Sequence, residues 1–237
     1  MHATTLRGEW ARFGSFLRRP VLPERAPLPS LSNLAATGRL LVLDLIIMLI
    51  LLAIGSLASA SGIELPETAL AGMELGPGLI LAAVIVAPLG EEIAFRSWLS
   101  GRPGHLLALI LVLGGGASAA LAVAGREQAY YLAATGVTLL LAALAIFALR
   151  RRGAMGWFTR IFPVVFWISA LLFASAHLFN FAEGNLLALA PLVLPQFATG
   201  LVLGYARVNY GLWSSMLIHV LHNSAFIGLV LLANGAG

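Results

Sequence analysis

Leu79-Ile80-Leu81-Ala82-Ala83-Val84-Ile85-Val86-Ala87-Pro88-Leu89-Gly90-Glu91-Glu92-Ile93-Ala94-Phe95-Arg96 runs from an apolar segment into charge with no break in the helical pattern. Two carboxylates and a guanidinium therefore sit within, or at the edge of, a bilayer span. A charge near the bilayer centre costs about 2.5–3.5 kcal/mol on insertion scales, so such residues point to function by default. Downstream, two further apolar segments each carry polar groups at helical spacing, Phe173 with His177 and His219 with Asn223. Acid, imidazoles and amide from three helices can converge on one buried site.

The rest of the chain fits a polytopic membrane protein. It has 237 residues, 60% hydrophobic and 10% charged, and a mean hydropathy of +0.95. Soluble chains are roughly 25% charged. Cysteine is absent, which removes disulfides, thiolate nucleophiles and cysteine metal ligands. The net charge of +4 comes from arginine alone, as there is no lysine. The arginines fall where membrane topology puts positive charge, so nucleic acid is not the expected partner.

The expected fold is all-α: a bundle of about seven transmembrane helices preceded by an amphipathic helix. Spans are expected at about 38–60, 78–101, 105–124, 129–149, 160–182, 186–206 and 211–233, each near the ~20 residues a bilayer needs. Residues 1–35 divide off as a basic segment with a proline-rich linker at Pro20, Pro23, Pro27 and Pro29; residues 36–237 form the transmembrane domain. Leu6, Trp10, Phe13 and Leu17 recur every three or four residues, with arginines on the other faces, so this helix is expected to lie on an anionic membrane surface. No apolar run here is long enough for a cleaved signal peptide.

Arg7, Arg12, Arg18, Arg19, Arg25 and Arg39, then Arg102, then Arg150, Arg151, Arg152 and Arg160, then Arg207 mark alternate ends of the spans. The intervening connections carry Glu64, Glu67, Glu74, Glu127 and Glu183, with Arg126 as their basic residue. The alternation predicts a multi-pass protein with a cytoplasmic N-terminus and the C-terminus outside; the expected setting is a bacterial inner membrane.

Within the decisive helix, Glu92 and Arg96 are one turn apart on one face, an internal ion pair. Glu91 is rotated about 100° away and is free to meet another partner. A desolvated carboxylate can act as a general base toward water, so chemistry is assigned to Glu91 and structure to Glu92 with Arg96. The alternative is a buried ion network of all three. A lone histidine on a membrane helix is usually polar glue. Near Glu91, His177 could orient the carboxylate and share its proton. His219 and Asn223 project into one groove, where a neutral imidazole and an amide can hold an oxyanion. His222 is a weaker candidate for the surroundings of the site, and Phe173 packs beside it. Asp44, in the first span, either bonds Arg39 or faces the cavity. Gly200 and Gly204 form a close-packing face. Counting about 1.5 Å per residue places Glu91, His177 and His219 at similar depth if the fifth span meets the membrane near Phe166. A start at Arg160 would set His177 about 9 Å deeper.

Glu91-Glu92-x-x-x-Arg96, Phe173-x-x-x-His177 and His219-x-x-x-Asn223, in this order on three spans, resemble the three motifs of the CPBP intramembrane proteases, the type II CAAX-protease, bacteriocin-processing and self-immunity family. Phe197-x-x-Gly200-x-x-x-Gly204 and Gly211-Leu212-Trp213-x-Ser215 are also like that family. The resemblance covers about 78–230, apart from the third and fourth spans, which stand here between motifs that most members carry on consecutive spans. It implies endopeptidase cleavage of a membrane-associated, lipidated or CAAX-type substrate within the lipid. Glu91 and His177 would activate water; His219 and Asn223 would hold the oxyanion. No cofactor is expected; the alternative is zinc on Glu91, His177 and His219, as in a metalloprotease, although the compact H-E-x-x-H helix is missing. The cavity is expected to open toward the cytoplasm. An ion-coupled transporter, or a non-catalytic immunity or scaffold protein of the same fold, remain the competing readings.

Overall fold

The computed structural model describes residues 5–66, 68, 75–125, 127–181 and 183–235. Glu67, Glu74 and Arg126 lie outside these residues. Among the described residues the chain is helical, and seven helices are long and apolar enough to cross a membrane. We label the helices α1 (Leu6–Arg18), α2 (Leu31–Ala60), α3 (Pro77–Ser100), α4 (Pro103–Val123), α5 (Gln128–Ala148), α6 (Gly156–Asn180), α7 (Leu186–Asn209) and α8 (Leu212–Gly235). The expected spans match α2 to α8 within a few residues except at two ends. The helix α2 begins at Leu31, inside the stretch expected as linker, because the Ser30 hydroxyl accepts from Asn33 N at 3.3 Å and caps it. The helix α6 begins at Gly156 rather than Arg160.

The early start of α6 does not carry His177 out of reach. Met155 N donates to Gly101 O at 2.9 Å, and Ser169 Oγ donates to Phe95 O at 2.7 Å. Fourteen residues of α6, about 21 Å of rise, thus pass six residues at the end of α3. The two helices are inclined to each other, and residue count along α6 is not depth.

Local chemistry shapes α3. Pro88 has no N–H to donate, and the preceding turn, Ala82–Val86, widens into a π-helix that absorbs the irregularity. The last residues tighten into a 3₁₀ turn, Ser97–Ser100, and Gly101 closes it at φ +64. A Cβ on Gly101 would lie 2.5 Å from the Phe158 ring, so glycine answers both a left-handed backbone and a close approach.

The helices α6, α7, α8 and α2 hold the core, built on Leu40, Phe173, Val202, Leu203, Tyr205 and Ile218. The two glycines of α7 let it close on α6: a Cβ on Gly204 would stand 2.9 Å from Phe166 Cε2, and one on Gly200 would stand 3.2 Å from Phe173. This is the packing face expected from their spacing. Gly204→Val is expected to lower the thermal unfolding midpoint in detergent, by an overpacking penalty of about 1–3 kcal/mol. An unchanged midpoint would show that Phe166 yields freely. The helices α4 and α5 pack chiefly against each other, with Thr135 Oγ1 donating to Gly115 O at 3.1 Å.

The amphipathic helix forms, but its apolar face meets protein rather than lipid. Phe13 is buried, Phe16 packs edge-on against Phe166 and Tyr205, and Trp10 Nε1 donates to Arg39 O at 2.9 Å. Glu9, on that same face and fully buried, accepts from Tyr205 Oη at 3.1 Å and Tyr210 Oη at 2.6 Å. Burial, and then the bond to Glu9, push the Tyr210 phenol well above its ordinary range, so it stays a donor. The expected surface helix is thus a docked one, because a carboxylate clamped by two phenols ties it to α7. Arg7, Arg12, Arg18 and Arg19 remain exposed on its other faces.

Candidate active site

The helix α3 projects its two glutamates in different directions. Glu92 and Arg96 are both fully buried and joined at 2.8 Å. The guanidinium also lies over the Phe173 ring, 3.8 Å from its centroid, so an aromatic face shares in holding the charge. The pairing is the one expected. Glu92 does more than pair, however: its Oε1 is also 3.0 Å from His219 Nδ1.

Glu91 turns toward the imidazoles. Its Oε2 is 3.7 Å from His219 Nε2 and 3.9 Å from His177 Nε2. These separations exceed a direct hydrogen bond and suit groups linked through one water. The predicted convergence of spans two, five and seven is therefore met by Glu91, His177 and His219.

The hydrogen bonds fix which nitrogens are available. His177 Nδ1 is 2.8 Å from Phe173 O, which can only accept, so Nδ1 carries a hydrogen and Nε2 faces Glu91. His219 Nδ1 likewise donates to the Glu92 carboxylate. A neutral His219 then presents a lone pair at Nε2, not a donor. With Nδ1 engaged by Glu92, His219 donates from Nε2 as well only when both ring nitrogens carry hydrogen.

Asn223 Nδ2 donates to Ala83 O at 2.8 Å, in the π-helical turn of α3. One amide hydrogen therefore ties α8 to α3, leaving the other for the groove. His222 and Asp44 come together: Asp44 is buried and its Oδ2 meets His222 Nδ1. Sequence reading noticed both residues without pairing them; an acid and an imidazole in the polar-poor halves of two spans was the available signal.

Phe173, His177, His219, His222 and Asn223 line a cavity of about 520 Å³. Its walls rise through Met48 and Leu52 of α2 and Phe226 and Ile227 of α8 to Leu65, Thr68 and Phe181. Thr68 and Phe181 form an antiparallel bridge there. This end of the bundle lies opposite the arginine clusters. The expected opening toward the arginine side, read as cytoplasmic, is overturned for this cavity: α1 and the core around Leu40, Tyr205 and Ile218 stand between it and that end. Thr199 and Gln196 also line the cavity and were missed; single polar groups in the apolar run of α7 were the signal. Thr199 Oγ1 and Gln196 Oε1 of the lining, and Glu91 Oε2, which is not part of it, are buried without a protein hydrogen-bond partner and so are open to a polar group.

The spacing of these groups can be set against that of a zinc site. Bonds of 2.0–2.1 Å set tetrahedral ligand atoms roughly 3.3 Å apart, and the 3.7 and 3.9 Å separations here are wider. Among the described residues no group of three or more histidines and carboxylates is spaced to hold a metal ion.

The family model described as Type II CAAX prenyl endopeptidase Rce1-like matches residues 73–225. No curated protein and no solved structure matches the chain.

Proposed function

The chain belongs to the type II CAAX prenyl endopeptidase Rce1-like family, and from that membership we propose a multi-pass membrane endopeptidase that cleaves lipidated, CAAX-type protein termini with water activated by Glu91. The observation that carries the mechanism is one carboxylate oxygen lying 3.7 and 3.9 Å from two imidazole nitrogens.

Glu91 takes a proton from a water seated between it and the Nε2 of His177. The hydroxide adds to the scissile carbonyl. The carbonyl oxygen gains the negative charge, and His219 Nε2–H and the second amide hydrogen of Asn223 donate to it. Collapse of the intermediate breaks the C–N bond, and the proton held by Glu91 passes to the leaving amine. His177, fixed by Phe173 O, orients Glu91 and shares that proton.

No metal enters this scheme. Purified protein given a prenylated peptide in H₂¹⁸O is expected to leave one ¹⁸O in the new carboxylate of the lipidated fragment, by mass spectrometry. Turnover should be unchanged by a strong chelator. Loss of turnover in chelator with recovery on adding zinc would replace the glutamate mechanism. Intact peptide under all conditions would favour the scaffold reading.

A further inference from the structure

At the arginine end of the bundle, away from the active site, lies a recess of about 380 Å³ between the linker and the ends of α3, α4 and α7. Arg25, Arg102 and Arg207 line it, together with His105, Ser100 and Glu24. Among the described residues no ion pair joins Arg25, Arg102 or Arg207 to a carboxylate. Arg102 is close enough to repel both His105 and Arg207.

Arg207 makes the imbalance acute. It is buried, and its Nε and Nη2 donate at 3.0 Å to the carbonyls of Arg96 and Ser97 at the end of α3. Carbonyl dipoles satisfy its hydrogens without cancelling its charge, and the carboxylate that acts on it, Glu92, is already paired with Arg96. The N-terminus of the 21-residue helix α4 opens at the same place: Arg102 is its N-cap and no side chain caps it. Pro103 has no N–H, and His105 N and Leu106 N donate to Arg102 O, so this end of α4 contributes chiefly its dipole, which adds positive potential. Ser100 Oγ, 2.7 Å from His105 Nδ1, fixes that ring.

Guanidinium forks match the oxygens of a phosphate, and basic pockets between membrane helices at headgroup level select anionic lipids. We propose that this recess binds a phosphate group, carried by an anionic phospholipid headgroup or free in solution. An occupant would bridge the linker to α4 and α7. Through Arg207 it would steady the end of α3, the helix that carries Glu91 and Glu92.

The test uses the full chain, delipidated in detergent, and reads the thermal unfolding midpoint at constant ionic strength. It is titrated with dihexanoyl phosphatidylglycerol, dihexanoyl phosphatidylcholine or sodium phosphate. A saturable rise with phosphatidylglycerol or phosphate supports the site; phosphatidylglycerol alone assigns it to a headgroup, and phosphate acting equally well assigns it to the free anion. Arg25→Gln and Arg102→Gln should each weaken the apparent affinity about tenfold or more, as removal of a charge-assisted hydrogen bond predicts. Arg25 sits on the exposed linker, so its replacement decides the matter even if Arg102→Gln folds poorly. No saturable rise with either anion overturns the proposal. So does an equal rise with phosphatidylcholine and none with phosphate, or an unchanged affinity in Arg25→Gln. Because unfolding is read, not turnover, the result is independent of the proteolytic reading.

Discussion

Glu91→Gln is expected to reduce peptide cleavage about 10²–10⁴-fold while leaving the fold intact. Glutamine keeps the size of the side chain but cannot take a proton from water. Glu91 tolerates the change structurally because it is not part of the buried pair: its side chain is 31% exposed, against 0% for Glu92. The check is turnover of a prenylated fluorogenic peptide together with the unfolding midpoint of the same preparation. Lost turnover at an unchanged midpoint supports a base at this position. Wild-type turnover would remove Glu91 from the mechanism, and lost turnover with a collapsed midpoint would place it in the framework instead.

Arg96→Met should have the largest effect on stability. It takes the guanidinium from the fully buried Glu92, leaving the His219 and Ser215 side chains beside it, and strips a cation from the Phe173 face. Removing one member of a buried ion pair costs about 3–5 kcal/mol, because the other charge stays desolvated. The unfolding midpoint should fall sharply, and activity should vanish as His219 loses its balanced partner. The double variant Glu92→Leu with Arg96→Met removes both charges, so it should recover part of the stability yet remain inactive. A single variant as stable as wild type would mean that Glu92 is neutral in the folded protein and needs no cation.

What could be read beforehand follows from what periodicity measures. The spans were visible because each crossing must satisfy its backbone internally over a fixed length. The Glu92–Arg96 pair was visible because i and i+4 share a face. The grouping of Glu91, His177 and His219 was legible from motif order, while the depth count failed as a guide because α6 starts at Gly156 and residue number along it does not measure depth. Partners across helices were not: spacing fixes which face a residue occupies, not what stands opposite. Thus His219 bonding Glu92, His222 meeting Asp44 and Asn223 reaching Ala83 O all needed the three-dimensional packing. The docking of α1 escaped for a related reason. An apolar stripe says that a face is buried, not whether lipid or protein covers it. Glu9, four residues before Phe13 on that stripe, was the overlooked sign, since a bare carboxylate would not be placed against acyl chains. The direction of the cavity was misjudged because arginine counts tell the two ends of a bundle apart without saying which of them splays.

The backbone bond between Met155 N and Gly101 O joins the residues that flank α4 and α5. The hairpin is thereby closed at its stem, like a cassette whose two ends already touch. Excising it would leave ends near enough to ligate without moving α3 or α6, and so without disturbing Glu91 or His177. The closed stem lets this hairpin stand between the first two motifs without parting Glu91 from His177. The phosphate recess has no such independence, for Arg102 and His105 lie inside the cassette and would leave with it.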